Sequence, residues 1–444
     1  GQAAYELRSA ARASELSGDQ SSGVGRDTAP TGAEMDRFMD AGWVREAYES
    51  ALERARRLRH EDPDEARAVL LAAEQRTRGL EVDPVLRAFG ALLLADCLGD
   101  RADIEAAFDA ALIAIEDQRD LMGSSEMRAT VARRVGPVRD VALAAALRSD
   151  DPAEDALAAL ERTRAVREAP GGWASPSPVA AEQLARLRDA RVRLEEAKLS
   201  GADVVDADAA VRTLEREILS SRRSARTTAS TSRSGDQARA SSLPDGTAYV
   251  TYALDGDDLI GLVHAGTRTR LVPLGTLPPL AGLVRAQRSA LRRLGDERRR
   301  QGTAALERLA DASSRLDAAL IGPLDVDGAE RILMTPATRL RDIAWPALPS
   351  LMGRPTTLTP TLAAWRNDTD HLRVRRMAFL GGPGLVNEEE LVAIAHTWER
   401  PDAVVATPTC REAAETLRRA DLVHISAHGS FRTCLLYTSD AADD

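Results

Sequence analysis

The 444 residues, 44% hydrophobic and 29% charged, describe a globular chain long enough for two or three separately cored domains, and exclude disordered and collagenous classes. A formal net charge of −10 offers no whole-chain attraction to a phosphate backbone, so nucleic acid is not an expected partner. No stretch approaches the roughly 18 uninterrupted apolar residues of a membrane span, and residues 1–30 lack a basic start followed by an apolar run, so a cytoplasmic protein without membrane contact is predicted.

Along the chain, residues 1–35 read as a partly flexible N-terminal segment, because 17–34 are rich in Ser, Gly, Asp and Pro and carry no apolar period. Helices follow. Val44, Ala47, Tyr48, Ala51, Leu52, Ala55 and Leu58 fall on one helical stripe, as do Ile104, Ala107, Phe108, Ala111, Leu112 and Ile115. Between them, 64–78 and 84–98 are predicted helices opened by Asp62-Pro63 and Asp83-Pro84, where proline suits the first turn. Further helices are expected over 124–147 and 152–168, the latter opened by Asp151-Pro152, and 180–220 reads as a charged helical hairpin about Gly201. The whole of 36–220 is therefore a helical-repeat region, either a solenoid of the tetratricopeptide type or a non-repeating bundle.

Residues 221–243 are Ser/Thr/Arg-rich and nearly devoid of large apolar side chains, the composition of a flexible linker. Beyond it the pattern changes to strands: 247–254 and 259–265 flank the turn Asp255-Gly256-Asp257-Asp258, 269–274 adds a third strand, and helices are expected at 278–295 and 303–320. The arginines between Arg285 and Arg300 read as a solvated helix face. Strands at 331–334, 376–380, 403–406 and 422–426, with helices at 388–398 and 411–419, alternate in the manner of a parallel α/β sheet. Ligand sites in such sheets lie at the carboxyl ends of strands, which directs attention to Ala427-His428-Gly429.

A histidine leaving a strand can act as acid or base near neutral pH, and a following glycine lets a backbone N–H approach a developing oxyanion. A strand ending in His-Gly is also plain turn chemistry. His424 reads as structural, and His60, His264, His371 and His396 are assigned to loops or helix surfaces. Gly381-Gly382-Pro383-Gly384 is followed by no Lys-Ser/Thr, so it is not a phosphate loop. The three cysteines, Cys97, Cys410 and Cys434, have no metal-ligand or CxxC spacing, so no metal, disulfide framework or organic cofactor is expected. Lys198 is the single lysine among 59 basic residues, a usage typical of a GC-rich bacterial genome.

Four segments in this order resemble the CHAT domains of caspase-like cysteine peptidases: Pro244-Asp245-Gly246-Thr247 with Tyr249-Val250-Thr251-Tyr252; Ile332-Leu333-Met334-Thr335-Pro336 leading to Ile343-Ala344-Trp345-Pro346-Ala347-Leu348-Pro349; Gly381-Gly382-Pro383-Gly384-Leu385; and Val423-His424-Ile425-Ser426-Ala427-His428-Gly429. Helical repeats ahead of the domain, with Glu161-Arg162-Thr163-Arg164-Ala165 before the junction, are similar to the usual architecture of that family. The resemblance implies an α + α/β fold, with the helical region followed over 244–433 by the incomplete front part of a caspase-like domain. It makes His428 the dyad histidine and Gly429 the oxyanion donor, with the nucleophilic cysteine roughly 50 residues further on, beyond the chain as given. Such a fragment is expected to be inactive, the intact protein being a cysteine endopeptidase whose helical repeats bind a protein substrate or regulator. The alternative is a non-catalytic interaction scaffold. Where relatives often carry His or Gly, this chain has Ala337-Thr338-Arg339-Leu340-Arg341, a departure that bears on packing.

Residues 434–444 back-translate to TGT CTC TTA TAC ACA TCT GAC GCT GCC GAC followed by GA, the transposon-end adapter of sequencing libraries. They are accordingly expected to be an artefact, and Cys434 no nucleophile.

Overall fold

The computed structural model describes residues 32–122, 125–168, 178–200, 204–229, 243–295, 302–367, 375–382, 393, 395–396, 403–405 and 409–426. The chain divides into two compact units, Gly1–Ala364 and Trp365–Asp444.

The first unit begins with α1 (Gly32–Asp40), α2 (Val44–Leu58), α3 (Pro63–Arg76), α4 (Pro84–Leu98) and α5 (Arg101–Asp120). The Asp-Pro pairs act as predicted. The Asp62 carboxylate accepts from Glu65 N at 3.0 Å and that of Asp83 from Val85 N at 2.9 Å, each satisfying an orphan donor of the first turn. Between α4 and α5 the reversal needs two residues: Gly99 takes φ 75° to end one helix, and the Asp100 side chain accepts from Ala102 N and Asp103 N to begin the next. The apolar stripes read from sequence meet in one core, where Tyr48, Leu52, Leu70, Leu93, Phe108 and Ile115 are buried together.

The stretch 124–147 is two helices, α6 (Ser125–Ala132) and α7 (Val135–Leu147). Pro137 explains the division: it has no N–H to continue a helix and is tolerated in the first turn of a new one. Next come α8 (Pro152–Glu168), then α9 (Pro178–Ser200) and α10 (Val205–Ala229), which form the expected hairpin around Leu184, Leu187, Leu194, Val211, Leu214 and Ile218. Helix α10 runs to Ala229, well into the segment expected to be linker. A composition that cannot build a core still suits a helix, because Arg and Ala carry high helix propensity and the added turns contain neither Gly nor Pro. Residues 230–242 lie outside the described residues.

The sheet of this unit has the order β3-β2-β1-β4-β5, from β1 (Thr247–Asp255), β2 (Asp258–Ala265), β3 (Arg268–Thr276), β4 (Arg331–Thr335) and β5 (Thr356–Leu358). The first three strands are antiparallel neighbours, and β1, β4 and β5 run parallel. The strand β5 is too short and too exposed for the sequence pattern to have marked it. The helices α11 (Pro278–Gly295) and α12 (Gly302–Leu320) make the crossover from β3 to β4.

Alternation along β1 assigns its faces. Ala248, Val250 and Tyr252 pack with Leu280, Val284, Leu316 and Leu320 of α11 and α12, and with Trp345. Ala253 faces the other way, toward Leu143 and Ala146 of α7 and Ala156 and Leu160 of α8. The central strand is thereby covered on both sides, and one of its covers comes from the helical part of the sequence. Composition separates helical region from strand region at 221–243, whereas packing joins α7 and α8 to the sheet.

Gly90 of α4 marks a close approach to α2. A Cβ there would lie 2.5 Å from Tyr48 Oη and 3.2 Å from Leu52 Cδ2. Tyr48 is 1% exposed and its hydroxyl is bonded to Glu74, so the ring has little room to retreat. Alanine gains about 1 kcal/mol in helix propensity, against about 1–3 kcal/mol for overpacking. Gly90→Ala is therefore expected to be destabilising by about 1 kcal/mol, read as a lowered urea midpoint at unchanged slope.

The second unit contains β6 (Met377–Gly381), β7 (Ala403–Val405), α14 (Cys410–Arg419) and β8 (Leu422–Ser426), while α13 (Leu362–Asn367) carries the chain across residue 364. Its three strands are parallel in the order β7-β6-β8. Of the helix expected at 388–398, residues 393, 395 and 396 are described and are helical, with Ala395 packed on Met377 and Phe379.

Candidate functional site

The two residues singled out for catalysis, His428 and Gly429, lie outside the described residues, as does 434–444. What is described is the strand that leads to them. β8 pairs with β6 from Met377↔Leu422 to Gly381↔Ser426, and Gly382 N donates to Ser426 O at 2.7 Å. Both strands run in the same direction, so the chain leaves β8 beside Gly381-Gly382, at the carboxyl edge of the sheet. Asp421 fixes the opposite end: its carboxylate accepts from Arg375 N at 3.0 Å and Arg376 N at 2.9 Å. These two backbone bonds, joined by the Arg376 guanidinium, hold the carboxyl below the usual aspartate range. Before β8, α14 starts with a full capping box between Thr409 and Glu412.

His424 lies half-buried on β8 with its ring centroid 5.8 Å from that of Phe379, in keeping with a structural role. His60 is exposed in the turn after α2, and His396 is exposed in a helix; His371 lies outside the described residues. His264 departs from its assignment to a loop or helix surface. It is 5% exposed within β2, and its Nδ1 lies 2.9 Å from Thr269 Oγ1, which donates to Glu154 of α8 at 2.8 Å. The polarity of a histidine suggests the surface, but a hydroxyl on the facing strand and a carboxylate from the covering helix satisfy it inside. Among the described residues no group of His, Cys, Asp and Glu is arranged to hold a metal ion.

The densest polar cluster described lies elsewhere, at the carboxyl ends of β4 and β5. Glu161 of α8 is 5% exposed, and its carboxylate accepts from Tyr249 Oη at 2.6 Å and from Leu362 N at 2.7 Å. Tyr249 Oη is 2.8 Å from Thr335 Oγ1, which donates to Thr359 O at 2.7 Å. Arg164 donates to Thr251 Oγ1 at 2.6 Å and to Tyr252 O at 3.2 Å, with Glu161 Oε1 at 3.5 Å. Burial, followed by the Glu161 charge, pushes the Tyr249 phenol up, so it stays a neutral donor. With Tyr249 fully buried and Thr335 6% exposed, substrate has no approach, and the cluster is built to hold backbone segments together.

In the sequence, Glu161-Arg162-Thr163-Arg164 marks the architecture and gives the two charges no role. Glu161 and Arg164 sit three residues apart beside the buried Leu157 and Leu160, and a charged pair on the apolar face of a helix is the signal that could have identified them.

No protein-family model matches this chain, and no curated protein matches it.

Proposed function

We propose that this chain is the front portion of a caspase-like cysteine endopeptidase of the CHAT type, with a tetratricopeptide-like helical region that receives a protein partner. The observation that carries the reading is the parallel pairing of β8 with β6: Ala427-His428-Gly429 follow directly on a strand whose carboxyl end lies beside Gly381-Gly382. In this proposal a thiolate from a segment after residue 433 attacks the scissile carbonyl. The His428 imidazolium gives its proton to the leaving amine, and the Gly429 N–H stabilises the oxyanion.

The test is to read the source DNA past the codon for Arg432, express the native continuation, and measure two things. A cysteine at the end of the next strand should react with iodoacetamide at pH 6, because pairing with His428 lowers a thiol's pKa. The protein should cleave peptide bonds, and His428→Ala should abolish both properties. A continuation that supplies no such cysteine, or one whose alkylation is indifferent to His428→Ala, removes the peptidase and leaves an interaction scaffold.

A further inference from the structure

Helix α8 is held on two sides by neighbouring residues. Toward α5, Arg162 Nη1 donates to Glu105 at 2.8 Å, its Nη2 pairs with Asp109, and its guanidinium lies 4.3 Å from the Phe108 ring centroid. Two turns earlier, Asp155 pairs with Arg101 at the first residue of α5, 2.5 Å away. Toward the sheet, Glu161 and Arg164 enter the cluster on β1 and β4, and Glu161 also receives Leu362 N at the start of α13. Glu161 thus supplies the acceptor for a helix that carries the chain out of the first compact unit.

This contact has two unlike parts. Its apolar seam mixes the small Ala146, Ala153, Ala156 and Ala253 with Leu143, Leu147, Leu160, Leu262 and Leu271, and packed elements of this kind can shift by small sliding. Its polar part is directional and buried. A displacement of about 1 Å takes hydrogen bonds of 2.6–2.7 Å out of range and leaves charged groups without partners, so the cluster holds or releases as a unit.

We propose that α8 is a lever joining α5 to the start of α13: a protein partner that displaces α5 draws on Arg162, shifts α8, and releases Leu362 from Glu161. The proposal rests on the reading of the helical region as partner-binding, and it adds the residues through which that binding reaches the start of α13.

The test is amide hydrogen exchange on the full chain, comparing wild type with Arg162→Ala, Glu161→Gln and the double variant. Arg162→Ala removes that residue's contacts with α5, leaving Asp155–Arg101, and does not touch the cluster, yet exchange over residues 359–364 should quicken about tenfold. Glu161→Gln should quicken the same segment at least as much. The double variant should exchange no faster there than Glu161→Gln alone, because both changes act through one connection. Helices α2 to α4 should keep their protection in Arg162→Ala, and in the two variants at Glu161 they should loosen less than 359–364. Unchanged exchange at 359–364 in Arg162→Ala would overturn the lever. So would strictly additive effects, or an equal loosening of α2 to α4. The measurement needs neither a nucleophile nor a partner, so its failure is separate from failure of the peptidase reading.

Discussion

Replacing Glu161 with alanine is expected to destabilise the first compact unit by about 3–5 kcal/mol, among the largest effects for a single substitution in this chain. The carboxylate is 5% exposed and answers three groups at once: the Tyr249 hydroxyl, the Leu362 amide and the Arg164 guanidinium. Alanine leaves all three inside without their acceptor, and Arg164, with a side chain 13% exposed, keeps a charge that only neutral oxygens then meet. Glu161→Gln removes the charge and one of the two acceptor oxygens, and keeps the other. Its single carbonyl can serve Tyr249 or Leu362 but not both in the same way, so a loss of about 1–3 kcal/mol is expected. Urea unfolding followed by circular dichroism measures both values. Equal losses for Ala and Gln would mean that the one acceptor oxygen glutamine keeps contributes nothing, and that the cluster needs the whole carboxylate.

Trp345→Ala is expected to lower stability by about 3–5 kcal/mol, whereas Trp345→Phe should cost about 1 kcal/mol. The indole is 2% exposed and stacks on Tyr252 with ring centroids 5.6 Å apart, and it packs among Leu340, Ile343, Leu348 and Leu351 under the sheet. Alanine opens a cavity between β1 and the turn Trp345–Ala347, whose backbone is already committed by Gln287: Ala344 N donates to Gln287 Oε1 at 2.9 Å. The collapse that softens such losses is therefore restricted. Phenylalanine keeps the stack, and it forfeits no hydrogen bond, because Trp345 Nε1 meets no acceptor among the described residues. If Phe proved as costly as Ala, the larger ring's shape would be the determinant in place of its burial.

Local chemistry made much of the fold readable in advance. Asp62-Pro63, Asp83-Pro84 and Asp151-Pro152 start helices where they were expected, because capping and the lost proline N–H operate over a few residues. The turn Asp255-Gly256-Asp257-Asp258 set the β1–β2 register, in which Asp255 pairs with Asp258. The alternation anticipated the parallel β7-β6-β8 sheet and the position of β8 before Ala427-His428-Gly429, whereas 331–334, expected in the same parallel series, joins the other sheet beside β1. Three other features were not readable. β5 is three residues long and forms because β4 offers it backbone partners. α10 continues through a stretch whose composition had suggested a linker. His264 is buried because Thr269 and Glu154 come to it from β3 and α8.

By itself, then, the sequence determined the order of helices, hairpin and parallel strands, since caps, turns and side-chain periodicity are local properties. Only the tertiary structure decided which helix covers the sheet and what Glu161 and Arg164 are for. Their partners lie 85 to 201 residues away along the chain, at Tyr249, Thr251, Tyr252 and Leu362, and no local pattern records that a charge will be met across such a distance. Folding supplies the missing information: α8 can bury these two charges only where the sheet and the start of α13 present hydroxyls, a carbonyl and a free amide together.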